Sequence, residues 1–314
     1  MSAHEEHRAN RPRRSTLYFP VSNSRDSAGP YHPIAQGSAG GDSVLEVDDE
    51  REHYLASKRA TLQYEGRGPL RLREPSSHAA IERAEAFLRR ELAAGPVHRD
   101  PKHLATLELD ALMLEIQEDL VVMHRPAGFA PERARAHYLH VCFPSHWPPA
   151  RMLGKNFLSV HARVPAEDSF ARSERARHAA KLFEAPAVRF IWSLTPDARL
   201  DHHPDHARTL WTDADAIFLR VERQVIVPLT AATGGDVTLF FIRTYVYPLD
   251  RLELSQRALL ASAVGGMSMA MRQYKGIAGF EPRIRELLMG DQPISKSVSA
   301  TTCMSVMTIN QRRS

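Results

Sequence analysis

An α+β fold with a mostly antiparallel sheet is what this sequence predicts, and three observations predict it. Apolar residues recur at helical spacing up to about residue 116. Two-residue alternation takes over from about residue 138 to 246, and helical spacing returns after 255. Helices, then strands, then helices is the order of an α+β domain rather than of repeated βαβ units. The 314 residues are 43% hydrophobic, enough for a real core in one large domain or two small ones.

Residues 1–43 are polar, rich in Ser, Gly, Pro and Arg, and show no sustained period, so they read as a disordered extension. The folded domain spans 44–290, and the Ser/Thr-rich residues 291–314 read as a loose tail. Within the domain, Asp48 to Leu62 predicts a short helix with Tyr54 and Leu55 on one side. Ser76 to Leu92 predicts a second, with Ala80, Ala84, Phe87 and Leu88 at helical spacing, and Leu107 to Ile116 a third. Glu118-Asp119, taken alone, reads as a solvated helix end.

Tyr138 to Phe143 and Val188 to Leu194 are short, aromatic and β-branched, which predicts strands. Two longer strands follow. In the first, Leu219, Val221, Arg223 and Val225 share one face, and Arg220, Glu222 and Gln224 the other. In the second, Phe241, Arg243 and Tyr245 share a face opposite Ile242 and Thr244. The turn-rich stretch Thr230 to Asp236 between them predicts an antiparallel hairpin with a loop longer than two residues. Ser255 to Tyr274 is helical again, and Lys275-Gly276 ends it with Gly in the left-handed position.

Composition excludes several classes. Net charge is only +4, from 41 basic and 37 acidic residues, and the short Arg11-Pro12-Arg13-Arg14 run reads as a tail rather than a nucleic-acid arm. Two cysteines, Cys142 and Cys303, cannot hold an iron–sulfur cluster or a cysteine-rich zinc site. No run of about 18 apolar residues occurs and no apolar leader opens the chain, so the expectation is a cytoplasmic protein with no membrane and no nucleic-acid partner.

The most unusual feature is charge on both faces of the strand Ile217 to Val227. A lone buried charge costs several kcal/mol, so these residues imply paired charges or a polar ligand. Guanidinium suits carboxylates bidentately, and a structural Arg–Glu network is the equal alternative. The cluster Asp201, His202, His203, Asp205 and His206 has metal-type donors, but its polar, Pro-bearing context favours a solvated loop. In Phe143-Pro144-Ser145-His146-Trp147, Ser145 is placed to cap a following helix. There is no G-x-G-x-x-G after a strand and no P-loop, so any redox chemistry here must draw electrons from a separate protein.

Taken in order, Ile116-Gln117-Glu118-Asp119-Leu120, Phe143-Pro144-Ser145-His146-Trp147, Val160-His161-Ala162-Arg163-Val164-Pro165, Arg189-Phe190-Ile191-Trp192, Leu219-Arg220-Val221-Glu222-Arg223-Gln224, Phe241-Ile242-Arg243-Thr244-Tyr245 and Tyr274-Lys275-Gly276 resemble the haem-dependent oxidative N-demethylase family. The resemblance runs from about Val44 to Leu288. It implies a PAS-like sheet holding haem b and O2-dependent removal of a methyl group from a small secondary amine, dimethylamine. It also implies a separate reductase carrying flavin and a 2Fe–2S cluster.

On that resemblance, His161 is the axial ligand to the iron. Arg189, Trp192, Arg220 and Arg223 surround the haem or its propionates, with only one face of the 220–224 strand able to line the pocket, and Arg220 with Glu222 the chosen side. Glu222 holds the cationic amine, and Tyr245 or Arg243 hydrogen-bonds to oxygen. A haem-based gas or redox sensor, and a haem tailoring enzyme that hydroxylates or N-oxidises a larger metabolite, are the alternatives. Two departures, Arg151-Met152-Leu153-Gly154 where many relatives carry a Lys and Val164-Pro165-Ala166 in place of Val-Pro-Gly, bear on amine specificity more than on fold.

Overall fold

A computed structural model of the chain describes residues 16–21, 32–33, 43–64, 68–95, 99–165, 177, 179–214, 216–230 and 236–290. The fold is α+β. A seven-stranded sheet comprises β1 (His32–Pro33), β2 (Arg71–Arg73), β3 (Asp119–Arg125), β4 (Arg135–His140), β5 (Ala187–Thr195), β6 (Phe218–Thr230) and β7 (Asp236–Pro248). Their order is β1-β5-β6-β7-β3-β4-β2, and every pairing among these strands is antiparallel. The longer helices are α1 (Arg51–Gln63), α2 (His78–Ala94) and α6 (Leu254–Gly266). Shorter ones are α3 (Pro101–Ala105), α4 (Leu109–Leu112), α5 (Phe157–Val160), α7 (Met269–Tyr274) and α8 (Glu281–Met289).

The hairpin predicted from alternation is β6–β7, in register from Phe218↔Pro248 to Thr230↔Asp236; its loop lies outside the described residues. The helix expected over 255–274 is divided at Met267 and Ser268. The Ser268 hydroxyl takes the N–H of Met271 at 3.1 Å and starts α7, after Gly265-Gly266 has weakened the preceding turn. Gly276, at φ 69°, closes it as its sequence position predicts. The tail over 291–314 lies outside the described residues, as does most of 1–43. Residues 16–21 are packed, not loose: Val21 is buried in the core and the Tyr18 ring lies tilted against those of Phe190 and Tyr245.

The largest departure is at Glu118-Asp119. Far from ending a helix in solvent, both are buried, and Asp119 opens β3 between β7 and β4. Asp119 accepts the N–H of Phe143 at 2.8 Å and pairs with Lys58 of α1 at 3.7 Å. The helix expected over 107–116 shortens to α4 as a result, because the chain must extend to enter the sheet.

Alternation assigns the two faces of β6 and β7 different work. On one face, Leu219, Val221, Tyr245 and Tyr247 join an apolar cluster with α6–α8. Further along that face, Val225, Val227, Leu239 and Phe241 join a second cluster with α2 and α4. Between them lies a single polar layer. Arg223 and Arg243 stand directly opposite each other there, fully buried. Like charges so placed repel, and residues 43–48 supply the remedy. Glu46 pairs with Arg223 at 3.2 Å, and Asp48 takes two hydrogen bonds from Arg243 at 3.1 and 3.2 Å. Backbone carbonyls of Ser43 and Val44 accept from Arg223. The Arg243 guanidinium lies 3.4 Å from the Tyr54 ring centroid, and Gln117 and Glu118 fasten Asp48 and the Glu46 backbone.

Removing one partner of a buried pair strands the other charge. Asp48→Ala is expected to lower unfolding free energy by about 3–5 kcal/mol, read from urea titration. A loss near the ~0.2–1 kcal/mol of exposed pairs would mean that the seam is wet.

Candidate functional site

The opposite face of the sheet opens on a cavity of about 1110 Å³. Its apolar floor includes Val121 and Met123 of β3, Leu139 of β4, and Phe240 and Ile242 of β7. Arg220, Glu222 and Gln224 project into it from β6 and Arg189 from β5, as strand register requires: Arg189 pairs with Gln224 and Ile191 with Glu222. Residues 145–148 and 157–165 form much of the wall.

A continuous line of hydrogen bonds runs across the polar floor. Arg220 Nε donates to Ser145 Oγ at 3.0 Å, and Ser145 Oγ donates to Glu222 Oε1 at 2.5 Å. Gln224 Nε2 donates to Glu222 Oε2 at 2.9 Å, and Arg189 Nε donates to Gln224 Oε1 at 2.7 Å. The two groups hydrogen-bonded to Glu222 are neutral, a hydroxyl and an amide, while the cations Arg220 and Lys275 feel its carboxylate through space. Ser145 is therefore not a helix cap. The remaining Arg220 nitrogens hold backbone: Nη2 the carbonyl of Phe143 at 2.9 Å, Nη1 that of Leu200 at 2.8 Å. Burial lowers the pKa of Arg220, with Glu222 opposing.

His161 follows α5, which Asn156 caps by accepting the N–H of Ser159 at 2.8 Å. The ring sits 4.1 Å from that of Phe157, and Nδ1 is 2.9 Å from the Phe157 carbonyl. A carbonyl only accepts, so Nδ1 carries the proton and the lone pair resides on Nε2.

The upper wall holds a second histidine. His202, 4% exposed, has Nε2 3.0 Å from Asp197 Oδ1. Burial pushes the Asp197 pKa up, but hydrogen bonds from His202, Arg199 and Thr209 carry it well below the usual carboxylate range. His146 stacks on His202 with ring centroids 4.9 Å apart, and at φ 63° it is the one non-glycine among the described residues in the left-handed region. Neighbouring His203 is also buried, and His206 pairs with Asp201 at 2.9 Å. The solvated-loop expectation fails for His202 and His203. Spacings of five residues, Asp197 to His202 and Asp201 to His206, bring carboxylates onto the imidazoles and let this stretch fold inward.

Of the residues singled out from sequence, His161, Arg189, Trp192, Arg220 and Glu222 line the cavity. The Trp192 side chain also belongs to the apolar cluster behind the sheet, and its carbonyl accepts from Lys275 Nζ at 2.8 Å. Arg223, Arg243 and Tyr245 do not meet them: they occupy the seam on the far side, where Tyr245 donates to Glu46. Ser145, Asp197, His202 and Lys275 were not singled out as site residues. Ser145, His202 and Lys275 get their places from long-range contacts, with Glu222, Ser145 and Trp192 respectively, and Asp197 from its local pairing with His202. Asp119, His140 and Cys142 bring three metal-type donors within 4.8 Å of one another, but Lys58 already supplies the cation beside Asp119.

Fold and cavity together define an α+β protein with a large cavity against one face of an antiparallel sheet. Over residues 38–285 the chain matches the family of haem-dependent oxidative N-demethylase, alpha subunit-like proteins, and it belongs to that family. No curated protein matches it. No described helix is long and apolar enough to cross a membrane.

Burial lowers the pKa of Lys275 to about 8, with Glu222 pulling it back up. The unfolded chain holds that proton to about 10.5, so between these values the unfolded state binds more protons and stability rises with pH. Urea midpoints across pH 7.5–10.5 should climb in the wild type and climb less in Lys275→Met; parallel curves would rule out the shift.

Proposed function

We propose that this chain is the haem-carrying, O2-using component of an oxidative N-demethylase. In this proposal the cavity holds haem b on His161 and a small secondary amine on Glu222, within a PAS-like sheet. One observation carries the proposal: a single strand face brings Arg220, Glu222 and Gln224 into the same apolar-floored cavity as a histidine whose Nδ1 is already committed to a carbonyl. Proximal histidines have this arrangement, with the second nitrogen's hydrogen bond fixing tautomer and ring orientation. The floor of Val121, Met123, Leu139, Phe240 and Ile242 suits a flat apolar macrocycle, and Arg151, Lys155 and Arg163 on the His161 side of the wall suit its carboxylates. Haem, when bound, supplies oxidation of the amine's methyl carbon by O2, with two electrons from a separate reductase carrying flavin and 2Fe–2S.

The protein's part is binding and polarity. Glu222, held by Ser145 and Gln224, offers a fixed carboxylate to an ammonium that would otherwise enter a dry site uncompensated. Arg189 and Arg220 stiffen that carboxylate through Gln224 and Ser145, so the amine meets a preorganised partner. The apolar floor limits water around the reacting carbon.

Absorption spectra of the purified protein, oxidised, reduced and with carbon monoxide, are expected to show a Soret band that His161→Ala abolishes or moves. With a surrogate reductase, dimethylamine should release formaldehyde. Glu222→Gln should raise KM about tenfold or more, ~1.4 kcal/mol of binding. An unchanged Soret band in His161→Ala would remove the ligand assignment. Absence of amine-dependent O2 uptake across a panel of small amines would favour a haem sensor instead.

A further inference from the structure

Oxidative removal of a methyl group leaves its carbon as formaldehyde, a small electrophile set free beside whatever nucleophiles line the cavity. The lysines differ sharply in their fitness to meet it. Lys58 is fully buried and saturated by three backbone carbonyls and Asp119. Lys102 and Lys155 are exposed. Lys275 lines the cavity and is half-buried there.

We propose that Lys275 captures the aldehyde product as a covalent imine. The source of the aldehyde rests on the demethylation given above; the capture site rests on the geometry of the lysine. Its backbone is fixed on both sides. The Lys275 N–H closes α7 on the Met271 carbonyl at 2.9 Å, and the Gly276 carbonyl accepts from Trp211 Nε1 at 3.1 Å. From this mount Nζ donates to the Trp192 carbonyl at 2.8 Å and lies 5.6 Å from the centroid of the Trp192 ring. Trp192 follows Ile191, the β5 partner of Glu222, so the amine stands at the end of the cavity into which Glu222 projects.

The described residues give Nζ one carbonyl acceptor and no ion pair. Desolvation with so few partners is what turns a lysine into a Schiff-base nucleophile. Burial accordingly brings its pKa down to about 8, with Glu222 opposing. At pH 7 roughly a tenth of such a lysine is free amine, against less than about one part in a thousand of an exposed one. In the step itself, the Nζ lone pair attacks the formaldehyde carbon, an N–C bond forms and the carbonyl π pair goes to oxygen. Both amine protons leave on that oxygen as water, the C–O bond breaks, and an N=CH2 group remains. Nothing is oxidised or reduced. Addition of water reverses the step and returns formaldehyde, so turnover continues.

The test treats the haem-loaded full chain with substoichiometric 13C-formaldehyde and borodeuteride at pH 7, then reads N-methyl-lysine by peptide mass spectrometry. Lys275 should be labelled about tenfold or more faster than exposed Lys102, the difference expected from their free-amine fractions. Lys275→Arg, which keeps a donor for the Trp192 carbonyl, should leave that position unlabelled and the Soret band unmoved. During turnover of 13C-dimethylamine with a surrogate reductase and cyanoborodeuteride, the label should reach Lys275. Labelling of Lys275 no faster than of Lys102 overturns the proposal. So does turnover that releases labelled formaldehyde while Lys275 stays unmodified. If no amine yields formaldehyde but added formaldehyde still selects Lys275, the demethylase reading fails and the aldehyde site stands.

Discussion

Two guanidinium groups, Arg223 and Arg243, face each other across neighbouring central strands, both fully buried. They cannot stay there unless counter-charge is brought in from elsewhere in the chain. That requirement accounts for the path of residues 43–48, which cross the sheet carrying Glu46 and Asp48, and for Gln117 and Glu118, which anchor that crossing. It also accounts for two apolar clusters where one would be simpler. The α6–α8 helices cover one end of the sheet face and α2 with α4 the other, because the polar layer between them cannot be covered by aliphatic side chains.

The seam gives the cavity its rigidity. β6 is clamped from behind through Arg223 at the same point where Glu222 and Gln224 project forward. A side chain that must hold a charged ligand is best mounted on a strand that cannot shift. Lys58 does similar work one strand over, tying α1 to three backbone carbonyls and to Asp119 at the start of β3. The polar groups behind the sheet thus serve the polar groups in front of it, although the two sets never touch.

Much of this was legible in the sequence. Alternation alone split Arg220, Glu222 and Gln224 from Arg223, and the helices and the β6–β7 hairpin followed from periodicity. What alternation cannot supply is the partner of a buried charge. Glu46 and Asp48 sit in a stretch without period, and Glu118-Asp119 look like any acidic helix end until the contacts from α1 and from Phe143 are seen. The same holds for His202: a polar, Pro-bearing loop reads as solvated, and only the carboxylates five residues upstream of two of its histidines explain why it packs inward. Arg243 and Tyr245 lie on the face turned away from the cavity, a distinction that needed the pairing of β7 with β6.

Arg220 grips its surroundings by main-chain carbonyls, those of Phe143 and Leu200, and by one hydroxyl. Main-chain oxygens are the same whatever amino acid bears them. The segments that roof the cavity can therefore accumulate substitutions during evolution while their course over the sheet is preserved by a single arginine. A frame built this way can change what it accepts without being rebuilt.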